Sequence, residues 1–91
     1  MEITYDPAKN AKNIHDRQLS FDRAEDFEFA TASIKLVERH GELRWVATGY
    51  LDGVLHKLCF LDRPGGIRVI SFHRTGRKER REYEDEKRIQ Q

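Results

Sequence analysis

The chain has 91 residues, 37% of them hydrophobic and 36% charged, with 17 Lys and Arg against 16 Asp and Glu. That length makes one small domain, residues 1–91, with a thin stability margin, since such a domain buries only about 60–65% of its unfolded surface. One cysteine excludes an intrachain disulfide and a cysteine-rich metal site, and no apolar run reaches the length of a membrane span.

In chain order, Glu2-Ile3-Thr4-Tyr5 is a short strand candidate, stopped by Asp6-Pro7. Asp before Pro also reads as an N-cap with Pro in the first helical position. A helix is expected over Pro7–His15, with Ala8, Ala11 and Ile14 on one face. Ser20 is a good N-cap for a second helix, Phe21–Ala30, whose buried stripe is Phe21, Ala24 and Phe27, with Phe29 beside them. The pattern then changes to alternation over Ser33–Arg39. His40-Gly41-Glu42 is a turn, and Leu43–Leu51 is strand-like. Asp52-Gly53 is a strong two-residue hairpin signal, with Val54–Leu61 as the return strand. Pro64-Gly65-Gly66 turns the chain into a fourth strand, Ile67–His73. Thr75 caps a last helix, Gly76 to Arg88. Strands grouped in the middle and helices at the ends argue for an α+β fold. It is an antiparallel meander of about four strands plus the short N-terminal strand, two N-terminal helices and one C-terminal helix.

The last helix is polar nearly all round and weakly anchored. Its large apolar side chains, Tyr83 and Ile89, share no stripe, whereas Lys78–Glu82, Arg80–Glu84, Arg81–Asp85 and Glu84–Arg88 are opposite charges at four-residue spacing. It is either a solvated tail or a partner-facing element. Charge is concentrated at this end: from Arg63 to Arg81 there are seven Lys or Arg and one acid, Glu79. Arg forks bind phosphate oxygens in a bidentate way. A cluster of them beside a histidine and a hydroxyl points to a polyanion, RNA first among them.

At this point the chain resembles the BrnT-type toxins of bacterial type II toxin–antitoxin systems. The motifs that carry the resemblance are Tyr5-Asp6-Pro7 followed by Lys9 and Asn13, then Ser20-Phe21-Asp22-Arg23-Ala24. Gly41-Glu42-Leu43-Arg44, Ala47-Thr48-Gly49 and Ile67-Arg68-Val69-Ile70-Ser71 follow, with Glu79 and Tyr83 downstream. Asp16-Arg17 stands where the family often has Lys-His, and His73 where it often has Arg. The resemblance implies a RelE-like fold and an endoribonuclease that cuts RNA and slows translation in the cytoplasm. It also implies a BrnA-like, DNA-binding antitoxin as partner in a hetero-oligomer, with operator DNA met only through that antitoxin.

Metal-free cleavage of RNA needs a proton acceptor for the 2′-hydroxyl and positive charge at the phosphorane. Arg68 and Arg63 are the candidates for charge, and His73 exchanges protons near neutral pH, with Ser71 between them. Arg74, Arg77, Lys78 and Arg81 would hold RNA, Glu79 would orient an Arg, and Tyr83 would pack the last helix on the sheet. Strict alternation places Ser71 and His73 on one face and Arg68 on the other. Either a bulge re-aims one of them, or Arg68 reaches round an edge, or they do not act together.

Plainer roles stand beside these. Arg68 can cover the sheet with its stem, Ser71 can bond backbone, His73 can be a surface residue, and Cys59 in Leu58-Cys59-Phe60-Leu61 is a small buried hydrophobe. His15, His40 and His56 make no zinc spacing, and Pro64-Gly65-Gly66 lacks the spacing of a phosphate loop. No metal, cofactor or membrane is expected. The competing function is a non-catalytic nucleic-acid-binding or protein-interaction module that uses the same Arg surface. A formal net charge of +1 is small for a stand-alone nucleic-acid binder and suits a protein neutralised by a partner.

Overall fold

The computed structural model describes residues 1–89. Strand β1 (Glu2–Thr4) leads to helix α1 (Pro7–Arg17), two 3₁₀ turns (Phe21–Asp26 and Phe29–Thr31), and strands β2 (Ser33–Arg39), β3 (Glu42–Leu51), β4 (Val54–Arg63) and β5 (Gly66–Arg74). Helix α2 (Arg77–Ile89) follows. The five strands form one sheet in the order β1-β5-β4-β3-β2. β2 to β5 are the expected antiparallel meander, and β1 adds in parallel to β5, with Ile3 opposite Ile67. The hairpins turn as their sequences require. His40 (φ 52°) and Gly41 (φ 78°), then Asp52 (φ 51°) and Gly53 (φ 74°), take the paired left-handed conformations of tight hairpin turns.

The core lies on one face of the sheet. Ala47, Leu51, Leu58, Phe60, Ile67, Val69 and Phe72 meet Leu19, Phe21, Ala24 and Phe27 from the preceding segment. That segment is not the expected α-helix over Phe21–Ala30. Phe21, Ala24 and Phe27, each under 5% exposed, recur every third residue, which is the period of a 3₁₀ turn and not of an α-helix. The backbone follows this spacing: Arg23 N–H donates to Ser20 O and Phe27 N–H to Ala24 O. Ser20 caps the turn through Asp22 N–H at 3.1 Å, as its sequence suggests.

Helix α1 starts as expected, with Asp6 accepting from Ala8 N–H at 2.9 Å and Pro7 in the first turn. It packs by a different face, however. Ala8, Ala11 and Ile14 are exposed, and Asn10 is the buried residue of the helix. Asn10 Oδ1 accepts from Phe21 N–H at 2.8 Å. Asn13 Nδ2 donates to Leu19 O and to Phe72 O, at 2.9 and 3.0 Å. Two side-chain amides therefore fasten α1 along the edge of β5 that β1 leaves open. Amides do this because the groups they meet are backbone N–H and C=O, which cannot be buried unpaired.

β5 has one irregularity. Cys59 is opposite Ser71 and Phe60 is opposite Val69, so Ile70 is an extra residue in β5, a β-bulge. The bulge reverses the parity of the strand. Ile67, Val69 and Phe72 all reach the core, and Arg68, Ser71 and His73 are all half-exposed outside it.

The face opposite the core is covered at one end by α2. Tyr83, 6% exposed, packs edge-on against Tyr50 with ring centres 5.7 Å apart, and its hydroxyl donates to Thr31 O at 2.8 Å. Ser33 Oγ donates to Glu86 Oε2 at 2.8 Å. The cap of α2 is Glu79, whose carboxylate accepts from Gly76 N–H at 3.0 Å; Thr75 Oγ1 goes to Leu55 O instead. Of the opposite charges on α2, Asp85 and Arg88 alone approach within 4 Å among the described residues, at 3.8 Å.

Asn10→Ala removes the acceptor of a buried N–H and is expected to cost about 1–3 kcal/mol. The urea midpoint should fall at unchanged m-value, a pattern that equilibrium unfolding followed at the lone Trp45 would show.

Candidate active site

The uncovered part of this outer face is laid out by strand register. Ser71 is opposite Cys59, Cys59 opposite Val46, and Val46 opposite Lys35; one step along, His73 is opposite Lys57, Lys57 opposite Thr48, and Thr48 opposite Ser33. A groove of about 360 Å³ runs over these rows. Its charged and polar lining is Lys9 from α1, Arg39 from β2, Arg44 from β3, Lys57 from β4, and Ser71 and His73 from β5. Its floor is Val37, Val46, Cys59 and Ile70, and among the described residues no carboxylate lines it. The lone cysteine is thus a half-buried floor residue of the groove.

The chemistry of each member follows from its surroundings. His73 Nδ1 lies 2.8 Å from Arg74 O. A ring N–H held by that carbonyl leaves Nε2 as the free nitrogen, an acceptor in the neutral ring. Arg44 Nε is buried and makes no hydrogen bond; the nearest carboxylate oxygen, Glu42 Oε1, is 3.5 Å away. A desolvated guanidinium N–H whose ion-pair carboxylate stands too far off to hydrogen-bond is a site where a closer anion gains a charge-assisted bond. Lys57 stands beside His73 across the strand pair. Glu79, at the start of α2, is held below its usual value of 4.5 first by its own backbone N–H and then by that of Gly76, with the Lys57 and His73 charges adding.

The residues named from sequence are dispersed. Ser71 and His73 line the groove. Arg68 shares their face through the bulge but sits at the margin, opposite Leu61, and does not line it. Arg63 is exposed at the β4–β5 turn, its Nη1 donating to Asp62 O at 2.8 Å. Arg74 points to the other side, toward a hollow that it shares with Arg17, Arg23, Asp52 and His56. Arg77, Lys78 and Arg81 are exposed on α2 and line neither the groove nor the cavity under the helix. Glu79 and Tyr83 face the sheet. His15 and His40 are exposed, and His56 is buried with Nδ1 2.8 Å from Val54 O. No group of three or more His, Cys, Asp or Glu that could hold a metal gathers among the described residues. No helix among them is long and apolar enough to cross a membrane.

Four groove cations were not singled out from sequence as site residues: Lys9, Arg39, Arg44 and Lys57. The signal that could have found them is parity. Arg39 shares a side of its strand with Lys35, Arg44 shares one with Val46 and Thr48, and hairpin register brings these sides together with Lys57.

A mixed sheet with a basic outer face and helices at its ends makes a small α+β protein. The fold is that of the Brucella abortus ribonuclease toxin BrnT, whose crystal structure superposes with a TM-score of 0.67 at 23% identity, over 85% of this chain and 99% of that one. Residues 5–79 match the family model of the ribonuclease toxin BrnT of type II toxin–antitoxin systems, and the chain belongs to that family. It is a ribonuclease toxin, an endoribonuclease by family, and a type II toxin implies a cognate antitoxin. No curated protein matches the chain.

A folded-state value below 4.5 for Glu79 means that its contribution to stability is complete above the unfolded value and is lost as pH falls through the folded one. Its carboxyl carbon shift should titrate below 4.5, and Glu79→Gln should flatten that part of the acid dependence of unfolding.

Proposed function

We propose that a single RNA strand lies in the groove and is cut there without a metal ion. The observation that carries this reading is a lining of four cations and one histidine around Ser71, with no carboxylate of the described residues in it and Glu42 pairing with Arg44 from the rim. His73 Nε2 takes the proton of the ribose 2′-hydroxyl, which attacks the adjacent phosphorus. The bond from phosphorus to the 5′-oxygen breaks, leaving a 2′,3′-cyclic phosphate. The 5′-oxygen departs as a hydroxyl with a proton from Lys57, the neighbour of His73 across the strand pair. Arg44 stabilises the charge that builds on the phosphate oxygens. Ser71 donates to one of those oxygens, and Arg68, Arg39 and Lys9 hold the flanking phosphates. Arg63, Arg74, Arg77, Lys78 and Arg81 lie outside the groove and contribute at most long-range attraction.

We also propose that residues 1–91 act as one domain in the cytoplasm, slowing translation. The partner is a BrnA-like, DNA-binding antitoxin whose acidic side chains cover the groove, so that the toxin meets operator DNA only through that hetero-oligomer.

Arg44→Ala and Arg68→Ala should each lower cleavage, Arg44→Ala by roughly 10²-fold or more. His73→Ala should abolish the pH dependence of cleavage over the imidazole range. Cleavage should persist in EDTA; loss that Mg²⁺ or Zn²⁺ restores would contradict metal independence. A chain that binds RNA, weakens uniformly with these substitutions and never cuts it would be a binding module. Co-expression with the product of the adjacent gene should yield a stable complex and relieve toxicity; a harmless chain with no such partner would count against the antitoxin assignment.

A further inference from the structure

The groove does not end at Lys57. The same lysine lines a second cavity, of about 150 Å³, between the sheet and α2. Lys35 is on its sheet side and Glu79, Glu82 and Glu86 are on its helix side. These carboxylates are three and four residues apart, so they form one stripe of α2, turned toward the basic face. None of them comes within 4 Å of Lys35 or Lys57, since among the described residues no ion pair joins α2 to the sheet. The helix is fastened by one buried side chain, Tyr83, and by the Ser33–Glu86 hydrogen bond. The match to the family model stops at residue 79, so α2 beyond its first turn lies outside what that model describes.

We propose that α2 is a built-in competitor of RNA: its Glu79–Glu82–Glu86 stripe stands over Lys35 and Lys57, where the phosphates of a strand leaving the groove would run, and a bound strand lifts the helix away. This rests on the groove being the RNA site. The carboxylates repel the phosphate backbone at close range, and they leave both lysines without a committed partner, ready to pair with phosphate once α2 moves. A helix held by one buried tyrosine, its hydroxyl bond to Thr31 O and the Ser33–Glu86 bond has few apolar contacts to lose on lifting.

The test titrates a fluorescent single-stranded RNA, 2′-O-methylated at every ribose so that it cannot be cut, against the full-length chain and its variants. E82Q/E86Q removes two charges from the stripe, and E84Q/D85N removes two charges from α2 away from the cavity. E82Q/E86Q should bind roughly fivefold more tightly than the wild type, whereas E84Q/D85N should change affinity by less than about twofold, since exposed charges beyond the groove are screened. Amide hydrogen exchange should show α2 exchanging faster when this RNA binds. Equal effects of the two double variants, or slower exchange of α2 on binding, would overturn the proposal while leaving the groove reading intact. Arg44→Ala, run in parallel, separates the two: RNA binding indifferent to that change would remove the groove reading and this proposal with it.

Discussion

The single extra residue in β5, Ile70, is the constraint on which the outer face depends. A strand alternates sides, and without the bulge Ser71 and His73 would join Ile67 and Val69 in the core. An imidazole placed there without a partner would cost several times what a typical hydrogen bond contributes. With the bulge, fully buried Phe72 enters the core instead, and the polar residues leave it on the side of Arg68. The same place ties down α1, because Phe72 O accepts from the Asn13 amide. Lys9, four positions before Asn13 and so one helical turn away, is thereby delivered to the rim of the groove.

Charge along the chain and charge in space differ here. The dense basic run from Arg63 to Arg81 is scattered by the fold over a turn, the core side of β5 and the outside of α2. The groove draws its cations from α1, β2, β3 and β4, where the sequence is balanced by acids. Of those acids Glu38 is exposed outside the lining, and Glu42 pairs with Arg44 from the rim at 3.5 Å, so the cations of the groove outnumber the carboxylates beside them although the chain is nearly neutral. In a partly desolvated groove the field of such an excess is screened less than on open surface.

The meander was legible because its signals are local. Asp52-Gly53 and His40-Gly41 demand positive φ, and they have it. Asp6-Pro7 fixes the start of α1 by capping chemistry alone. The segment after Ser20 was read as a helix because Phe21, Ala24 and Phe27 also fit an amphipathic stripe; only packing against the sheet reveals a strict period of three. The contact face of α1 was hidden for another reason. Its anchors are asparagines that seek backbone groups, and apolar periodicity is blind to them. The bulge was left open as one of several alternatives, since nothing in Ile67–His73 marks an added residue until β4 lies beside it.

The parallel pairing of β1 with β5 sets a clock. Glu2 finds its partner in Gly66, where β1 packs so closely that a Cβ on the glycine would fall 1.9 Å from Glu2 O. α1 waits for the same strand, since Asn13 reaches Phe72. During synthesis the first strand and the first helix therefore emerge long before the strand that receives them, and such long-range pairing closes late. Lys9, Arg39 and Arg44 leave the ribosome early, yet they converge on nothing until Ser71 and His73 follow. A nascent chain stalled ahead of β5 thus carries the cations of the groove without the strand that gathers them.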